Sequence, residues 1–155
     1  MKTSKKISLK KANFFNIEFL WYLRNQLDVY QYSRQNRKVS WSEHVNWVIP
    51  VILRKTGKDL FVIQKGLLPI GQIRFDYENN YCAQISIAIL KEFRGKGVGT
   101  KSFGEALKRL KKDKKIKNIL AEVHKNNISS QKFFEKLNFK LKTKKGKWLK
   151  YVLKI

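Results

Sequence analysis

Residues 85–111 constrain the fold of this chain more than any other part of the sequence. The apolar run at 85–90 is followed by the glycine-rich stretch 94–100, and an amphipathic pattern then covers 98–111. Apolar β-branched residues favour a buried strand, glycines permit a tight turn, and apolar residues at helical spacing predict a helix. A strand, a glycine loop and a helix in this order direct backbone N–H groups and the positive end of the helix at one point. The segment therefore predicts a site for a phosphate or pyrophosphate.

The spacing of the glycines excludes two other phosphate-binding loops. A Walker loop needs a lysine directly after its last glycine, whereas Thr100 follows Gly99. A dinucleotide fingerprint that starts at Gly95 and Gly97 needs a third glycine at position 100, which is again Thr100. The strand before the loop also belongs to a meander of short strands and not to a βαβ unit. The pattern that remains is Arg-x-x-Gly-x-Gly, formed by Arg94, Gly97 and Gly99.

A second block strengthens this interpretation. A predicted strand ends near Val123, and Asn127, Ser130 and a Phe-Phe-Glu-Lys-Leu-Asn-Phe run that begins at Phe133 follow it. Together the loop and this block resemble the GNAT superfamily of N-acetyltransferases over residues 59–139. The resemblance implies an α/β (α+β) fold with helices on both faces of a mixed, mostly antiparallel sheet. It also implies that the sheet splays between its fourth and fifth strands and that the cofactor is acetyl-CoA.

The resemblance implies which residues contact acetyl-CoA. The glycine loop would bind the pyrophosphate, and the end of the preceding strand would pair with the pantetheine arm. A backbone N–H of Ala88 or Ile89 would stabilise the charge that develops on the thioester oxygen. Asn127 would contact the pantetheine or the pyrophosphate, and it is also suited to cap the next helix. The predicted cofactor residues are Ile87, Ala88, Ile89, Arg94, Gly95, Lys96, Gly97, Val98, Gly99, Thr100, Asn127, Ser130 and Phe134.

The catalytic residues follow from the same resemblance. Glu122 matches the position of a glutamate used in ribosomal-protein alanine acetyltransferases. The resemblance implies that Glu122 takes the proton of the amine. The alternative role of Glu122 is an ion pair with one of the many lysines. Many GNAT enzymes carry a tyrosine at the position of Phe134, where it protonates the departing thiolate. Phenylalanine has no proton to donate, so Ser86, Tyr81 or a water molecule would replace it.

The N-terminal part is expected to select the acceptor. It contains a spaced Arg-Asn…Ser…His…Trp pattern that resembles GNAT enzymes acting on amino-sugar nucleotides in the pseudaminic and legionaminic acid pathways. Arginines suit phosphates and tryptophans suit a sugar or base. For His44 the alternatives are substrate contact or proton transfer, which would make it catalytic, and a position on the helix surface or at a cap. The predicted acceptor residues are Arg24, Asn25, Ser33, Arg34, Trp41, His44 and Trp47.

Length and charge limit the other possibilities. With 155 residues the chain is expected to form one domain, with the acceptor side up to about residue 55. The single cysteine excludes an internal disulfide and a cysteine-rich metal site, so no metal is expected. No run approaches the length of a membrane span, and the basic residues 1–7 precede no apolar signal core, which predicts a cytoplasmic protein.

The net charge of +24 is explained equally well by lysine-rich genomic drift and by recruitment of polyanions. The motifs and the N-terminal pattern together favour acetylation of a small-molecule amine, most simply on a sugar nucleotide. The alternatives are acetylation of a protein N-terminus and a basic nucleic-acid-binding module that keeps the fold, the last being less favoured. The sequence leaves a homodimer open.

The remaining patterns predict the other elements. Ser40 and Glu43 form a capping box that begins a helix, which Pro50 is expected to bend or end. In the preceding helix, Phe15, Phe19, Tyr22 and Leu23 are expected to share a face. Strands are predicted at 7–11, 59–64, 68–75, 81–90, 118–123, 139–142 and 147–155, and helices at 13–24, from 40 to about 50, 98–111 and 129–137.

Overall fold

The computed structural model describes residues 5–113 and 115–155, so residues 1–4 of the basic N-terminal stretch lie outside the described residues. Every predicted strand and helix is present over this part of the chain, with some ends shifted. A further short helix, α2, lies within the acceptor side. The elements are β1 (Ile7–Lys11), α1 (Ile17–Arg24), α2 (Leu27–Tyr30), α3 (Trp41–Ile52), β2 (Lys58–Lys65), β3 (Leu68–Asn79), β4 (Cys82–Ile89), α4 (Val98–Asp113), β5 (Asn118–His124), α5 (Ile128–Lys136), β6 (Lys140–Lys145) and β7 (Trp148–Lys154).

The sheet confirms the predicted splay. Its order is β1-β2-β3-β4-β5-β7-β6, and every pair is antiparallel except β4 and β5. The parallel pairing runs only from Cys82 opposite Asn118 to Ile85 opposite Ala121. Beyond that point β5 continues to pair with β7, while β4 continues to pair with β3. The edges of β4 and β5 that face each other are therefore unpaired where the two strands end.

Helices cover both faces of the sheet, as predicted. On one face, Phe103 of α4 and Phe134 of α5 join a large buried cluster with Ile85 of β4 and Ala121 of β5. On the other face, α1 and α3 close a smaller cluster against β2. Because side chains alternate along a strand, each strand supplies both layers. Burial of one large apolar side chain contributes about 1.5–3 kcal/mol, so both clusters hold the splayed strands in place.

Helix α3 begins as predicted and ends later than predicted. The Ser40 hydroxyl accepts a hydrogen bond from the Glu43 backbone N–H at 3.2 Å, and the Glu43 carboxylate accepts one from the Ser40 N–H at 3.0 Å. Pro50 lies inside the helix, which continues to Ile52. A proline one turn from a helix end removes a single backbone hydrogen bond, so the last turn still forms.

The predicted shared face of the first helix is confirmed for two of its four residues. Leu23 is buried and Phe19 packs against the smaller cluster, whereas Phe15 is 96% exposed and Tyr22 is 53% exposed. For Phe15 the cause is local, because this residue lies in a short 3-10 turn, capped by Asn13, that precedes α1. A 3-10 turn has about three residues per turn, so it shifts the phase of the apolar pattern before α1 begins.

Within the described residues, no helix combines the length and apolar character that a membrane crossing requires. Nor does this part of the chain hold three or more His, Cys, Asp or Glu side chains grouped so that they could bind a metal ion.

Candidate functional site

The end of β4 presents towards the splay backbone groups that no neighbouring strand pairs. The Leu90 N–H donates to the Ile70 carbonyl at 2.9 Å. Hydrogen-bonded and non-hydrogen-bonded pairs alternate in an antiparallel ladder, so Ala88, opposite Gln72, directs its N–H at β3. The backbone groups of Ile87 and Ile89 then point to the opposite edge, beyond the last parallel pair with β5. Of the two N–H groups considered for the thioester oxygen, this geometry favours that of Ile89 over that of Ala88.

The glycine loop lies at the same edge. Gly95 and Gly97 have φ angles of 70° and 76°, a region that favours glycine, and no atom beyond the adjoining residues lies within 4 Å of a Cβ placed on either. Both are exposed, as are Lys96 and Thr100, while Val98 is buried and fixes the start of α4 against the core. Open glycines in front of a helix N-terminus form a concave backbone surface suited to an anion.

A glycine is needed at position 99 for a different structural reason. A Cβ at this position would lie 2.8 Å from Cε2 of Phe133, so the glycine allows α4 and α5 to approach each other closely. Phe134, the position where a tyrosine was expected from the resemblance, is 3% exposed and packs against Phe133 and Phe139. Both phenylalanines therefore serve the packing beneath the loop.

Arg94 does not extend towards the open face of the loop. Its Nε donates to the Ile89 carbonyl at 2.7 Å, and its Nη1 lies 2.5 Å from Oδ2 of Asp28 in α2. The guanidinium therefore ties the loop to the acceptor side, and its charge is balanced by a carboxylate. Lys96 bends back as well, with its Nζ donating to the Glu92 carbonyl at 3.0 Å.

Asn127 caps α5, one of the two roles considered for it. Its side-chain oxygen accepts a hydrogen bond from the Ser130 N–H at 3.2 Å, and its own N–H donates to the His124 carbonyl. The cap holds the N-terminus of α5 directly after β5, close to the splay. The side-chain amide of Asn127 keeps two N–H groups with which to contact a ligand.

Glu122 and Arg34, predicted for different roles, are joined by hydrogen bonds. Glu122 follows Ala121, the last β5 residue paired with β4, so its side chain points from the splay to the face of α1 and α3. Arg34 donates from Nε to Oε1 of Glu122 at 2.8 Å, and its guanidinium lies 4.6 Å from the centre of the Trp148 ring. Ser86 shares this face, half-buried and opposite Arg74 in the register.

Tyr81 lies far from the splay. It precedes β4 at the other end of the strand, and Lys117 stacks on its ring at 5.6 Å. At roughly 3.3 Å per residue, Tyr81 and Ile87 are about 20 Å apart. The hypothesis that Tyr81 protonates the departing thiolate is therefore wrong, because the extended strand holds the Tyr81 side chain too far from the splay.

His44 is buried between α1 and α3 and is 4% exposed. Its Nε2 lies 2.8 Å from the Ile17 carbonyl oxygen, so this nitrogen carries the hydrogen and donates. Burial lowers the pKa of His44, and the charge of Arg24 lowers it further, against the hydrogen bond to Ile17, which raises it. The position is neither a helix surface nor a cap, and the neutral ring holds the two helices together.

Arg24 and Asn25 fix the loop between α2 and α3. Asn25 forms two hydrogen bonds with the backbone of Val39, at 2.8 and 3.0 Å. Arg24 donates to Ser33 Oγ at 3.2 Å and to the Arg37 carbonyl at 3.4 Å. Both residues therefore shape the loop that carries Arg34.

Arg24 is also the centre of a cationic cluster. Burial lowers the pKa of its guanidinium, and the nearby charges of Arg37 and Arg74 lower it further, while Glu43 opposes them. Arg37 is paired with Glu43 and Arg74 with Asp76. Among the described residues no carboxylate lies within ion-pair distance of Arg24, so an incoming anion would find a positive charge here that has no direct ion-pair partner.

Trp47 contacts this cluster, and Trp41 lies on the same helix, α3. Trp41 is 45% exposed and packs edge-on against Trp21 at 5.5 Å. Trp47 is half-buried, and the Arg74 guanidinium lies 5.3 Å from its ring centre. The predicted tryptophans and arginines thus occur together on the face of α1 and α3.

Sequence reasoning did not identify Asp28, Arg74 or Trp148. Asp28 balances Arg94, Arg74 belongs to the cationic cluster, and Trp148 supports Arg34. Side chains alternate along β3, so Arg74 lies on the other face of the sheet from its neighbour Ile73. This alternation could have assigned Arg74 to the polar face. No local pattern identifies Asp28 or Trp148, since their partners lie far away in the sequence.

Comparison with known proteins adds the family. Residues 21–139 match the model of the acetyltransferase (GNAT) family. An uncharacterized protein of Methanocaldococcus jannaschii is 28% identical over 155 residues, which are 97% of this chain and 31% of that protein. An N-alpha-acetyltransferase of Saccharolobus solfataricus is 40% identical over 63 residues, which are 40% of this chain and 38% of that protein. The chain thus spans about a third of the length of these curated relatives.

Solved structures have the same fold. A domain from Methanocaldococcus jannaschii has a TM-score of 0.83 at 26% identity and covers 97% of this chain and 99% of that chain. A ribosomal L7/L12 alpha-N-protein acetyltransferase (RimL) in complex with coenzyme A has a TM-score of 0.85 at 16% identity, covering 98% and 96%. The Campylobacter jejuni N-acetyltransferase PseH in complex with acetyl coenzyme A has a TM-score of 0.74 at 19% identity, covering 96% and 99%.

Proposed function

The chain belongs to the acetyltransferase (GNAT) family, and we propose that it transfers the acetyl group of acetyl-CoA to the primary amine of an amino-sugar nucleotide. The observation that carries the proposal is the position of Arg24. A half-buried guanidinium without a carboxylate partner among the described residues lies on the acceptor face beside two further arginines. A diphosphate supplies charge and paired oxygen acceptors that match such a group.

In this proposal the cofactor occupies the splay between β4 and β5. The pantetheine arm pairs with the exposed backbone of Ile87 and Ile89, and the Ile89 N–H donates to the thioester oxygen. The pyrophosphate lies on Gly95, Gly97 and the N-terminus of α4. Residues 59–139 thus carry the cofactor, and residues up to about 55 carry the acceptor.

The chain's side chains would handle the protons. Glu122 accepts one proton from the ammonium group of the acceptor, through a water molecule, because only a neutral amine can attack. The amine nitrogen then bonds to the thioester carbon, the carbon–sulfur bond breaks, and the thiolate leaves with its electron pair. The nitrogen sheds its second proton, which the thiolate takes up with the help of Ser86 or water, since Phe134 has no hydrogen to donate.

A thiol-release assay tests the proposed function. Purified protein and acetyl-CoA are offered three acceptors: an amino-sugar nucleotide, the same amino sugar without phosphates, and a peptide with a free N-terminus. We expect the highest kcat/KM for the amino-sugar nucleotide. Efficient acetylation of the peptide without activity on any amino-sugar nucleotide would contradict the proposal.

The second candidate is acetylation of a protein N-terminus. It is favoured by the 40% identity that 63 residues share with the Saccharolobus solfataricus N-alpha-acetyltransferase. The same assay decides between the two, because a peptide acceptor brings no diphosphate to Arg24. Replacement of Arg24 would then change the rate with the peptide little and the rate with the sugar nucleotide strongly.

A further inference from the structure

Arg34 is hydrogen-bonded to Glu122, the proposed proton acceptor. Arg34 donates from both Nε and Nη2, and both hydrogen bonds end on Oε1 of Glu122. Two charged donors thus occupy Oε1 and leave only Oε2 for a proton from the amine. The guanidinium charge beside the carboxylate also repels an incoming ammonium group, so Glu122 takes the proton more readily once this contact has opened.

The two partners differ in how accessible they are. The side chain of Arg34 is 63% exposed, whereas that of Glu122 is 17% exposed. A solute anion therefore reaches the guanidinium before it reaches the carboxylate. Ion pairs with an exposed partner exchange readily, because solvent screens them and little is lost when they open.

Only the side chain of Arg34 needs to move. The neighbouring Ser33 is fixed by Arg24, by a hydrogen bond to the Tyr30 carbonyl and by one from the Asn36 N–H. The Trp148 ring supports the guanidinium from below at 4.6 Å, and it provides a surface along which the planar group can turn. The backbone of the loop thus stays in place while Arg34 changes its partner.

The sequence neighbour Ser33 connects this pair to the anion site. Arg24, the proposed phosphate ligand, donates to Ser33 Oγ, and Arg34 is the next residue in the chain. A diphosphate held by Arg24 brings its oxygens to the residue beside Arg34. A phosphate binds a guanidinium through two parallel hydrogen bonds and competes well with a single carboxylate oxygen.

We propose that Arg34 makes catalysis depend on the charge of the acceptor: a phosphate of the acceptor draws Arg34 away from Glu122 and so frees the carboxylate to take the amine's proton. The inference rests on the proposed function, because it requires an acceptor that carries both an amine and a phosphate. An amine acceptor that carries no phosphate would find Glu122 still paired and would react slowly.

The first test observes the pair without catalysis. In CoA-loaded protein, the carboxyl 13C signal of Glu122 and the Nε 15N signal of Arg34 are followed by NMR while UDP is added. We expect both signals to shift together and to saturate. The control variant Lys38→Gln, which changes an exposed lysine of the same loop, should show the same shifts. If UDP binds and neither signal moves, Arg34 does not exchange partners and the proposal is overturned.

The second test measures selectivity with the best amino-sugar nucleotide from the acceptor assay and the same amino sugar without phosphates. In Arg34→Gln we expect the preference for the phosphorylated acceptor to fall by about tenfold or more, because kcat rises for the acceptor without phosphates as KM rises for the phosphorylated one. Lys38→Gln should retain the parent preference. An equal loss of kcat for both acceptors would assign Arg34 a purely structural role and would overturn the proposal.

The two tests separate this inference from the proposed function. If UDP moves both NMR signals but no amino-sugar nucleotide is acetylated, the acceptor assignment fails and the exchange of Arg34 stands. If amino-sugar nucleotides are acetylated while the Glu122 signal ignores UDP, the proposed function stands and the role of Arg34 is refuted.

Discussion

The cofactor side and the acceptor side of this molecule are built in different ways. The cofactor side depends on backbone groups: the open edge of β4, glycines with positive φ angles and the start of a helix. The acceptor side depends on side chains whose partners are remote, such as Arg34 with Glu122, 88 positions away. Backbone geometry can be encoded by a few adjacent residues, whereas a network of side chains requires the whole fold. Substitutions on the cofactor side should therefore change the affinity for acetyl-CoA, whereas substitutions on the acceptor side should change KM for the acceptor.

Glu122, which lies between the two sides, should give the largest effect. We expect Glu122→Gln to lower kcat by about 10²–10⁴, the contribution typical of a general base, and to leave the Kd for acetyl-CoA unchanged. The loss should shrink as pH rises, because more of the amine is then neutral without help. The pH profile of kcat and the calorimetric Kd measure this separation.

The matched control for that variant is Glu105→Gln, in which an exposed glutamate of α4 paired with Lys108 is altered. It should retain the parent kcat at every pH. A defect in Glu122→Gln that does not depend on pH would indicate a structural role for the pair with Arg34.

The glycine loop should affect only the cofactor side. We expect Gly97→Val to weaken acetyl-CoA binding by at least about tenfold, equivalent to 1.4 kcal/mol, because a branched side chain at a positive φ distorts the concave backbone. Gly99→Val should in addition lower Tm, since its side chain would collide with Phe133. Isothermal titration and thermal unfolding distinguish these two causes.

Gly104→Ala provides the control, because this α4 glycine has open space around it and lies away from the loop. It should bind acetyl-CoA like the parent and should not lower Tm. Parent-like binding by a folded Gly97→Val protein would show that the loop does not hold the pyrophosphate.

Arg24 should affect only the acceptor side. We expect Arg24→Ala to raise KM for the sugar nucleotide by about 10–100-fold, the range expected for a lost charged hydrogen bond, while KM for acetyl-CoA stays unchanged. Steady-state kinetics with each substrate varied in turn measure both constants. Lys111→Glu should alter neither constant, because it changes the net charge in the exposed last turn of α4, on the other face of the sheet from Arg24. If Lys111→Glu raises KM as much as Arg24→Ala, general attraction to polyanions explains the binding.

His44 should give the smallest effect, and it acts on stability. The folded pKa of His44 lies below its ordinary value of 6.5, so protonation favours the unfolded chain. The free energy of unfolding should therefore fall as pH drops below 6.5, by at most about 1.4 kcal/mol for each pH unit. Denaturant unfolding between pH 7.5 and 5 measures this slope. In His44→Gln, whose amide can still donate to Ile17, the slope should flatten; an unchanged slope would exclude His44 as its cause.

The order of elements, the capping box and the loop were predictable because each depends on neighbouring residues. Ser40 and Glu43 are three positions apart, and a single helical turn brings them together. The same local reading failed for Phe15, whose exposure depends on the 3-10 turn before α1 and on how α1 packs. It also misjudged Tyr81, although the predicted strand 81–90 already places this residue at the end remote from Ile89.

The sequence by itself determined the glycine loop, its strand and helix and, through these, the family and the fold. These features are local, since steric limits on φ and ψ and the periodicity of apolar residues act over a few positions. Only the tertiary structure decided that Arg94 pairs with Asp28, that His44 is buried, and that Arg34 covers Glu122. Each of these contacts joins residues that are distant in the chain. Their geometry exists only after the sheet has formed and α1 and α3 have packed on it, because a long charged side chain takes whichever partner the fold places within its reach.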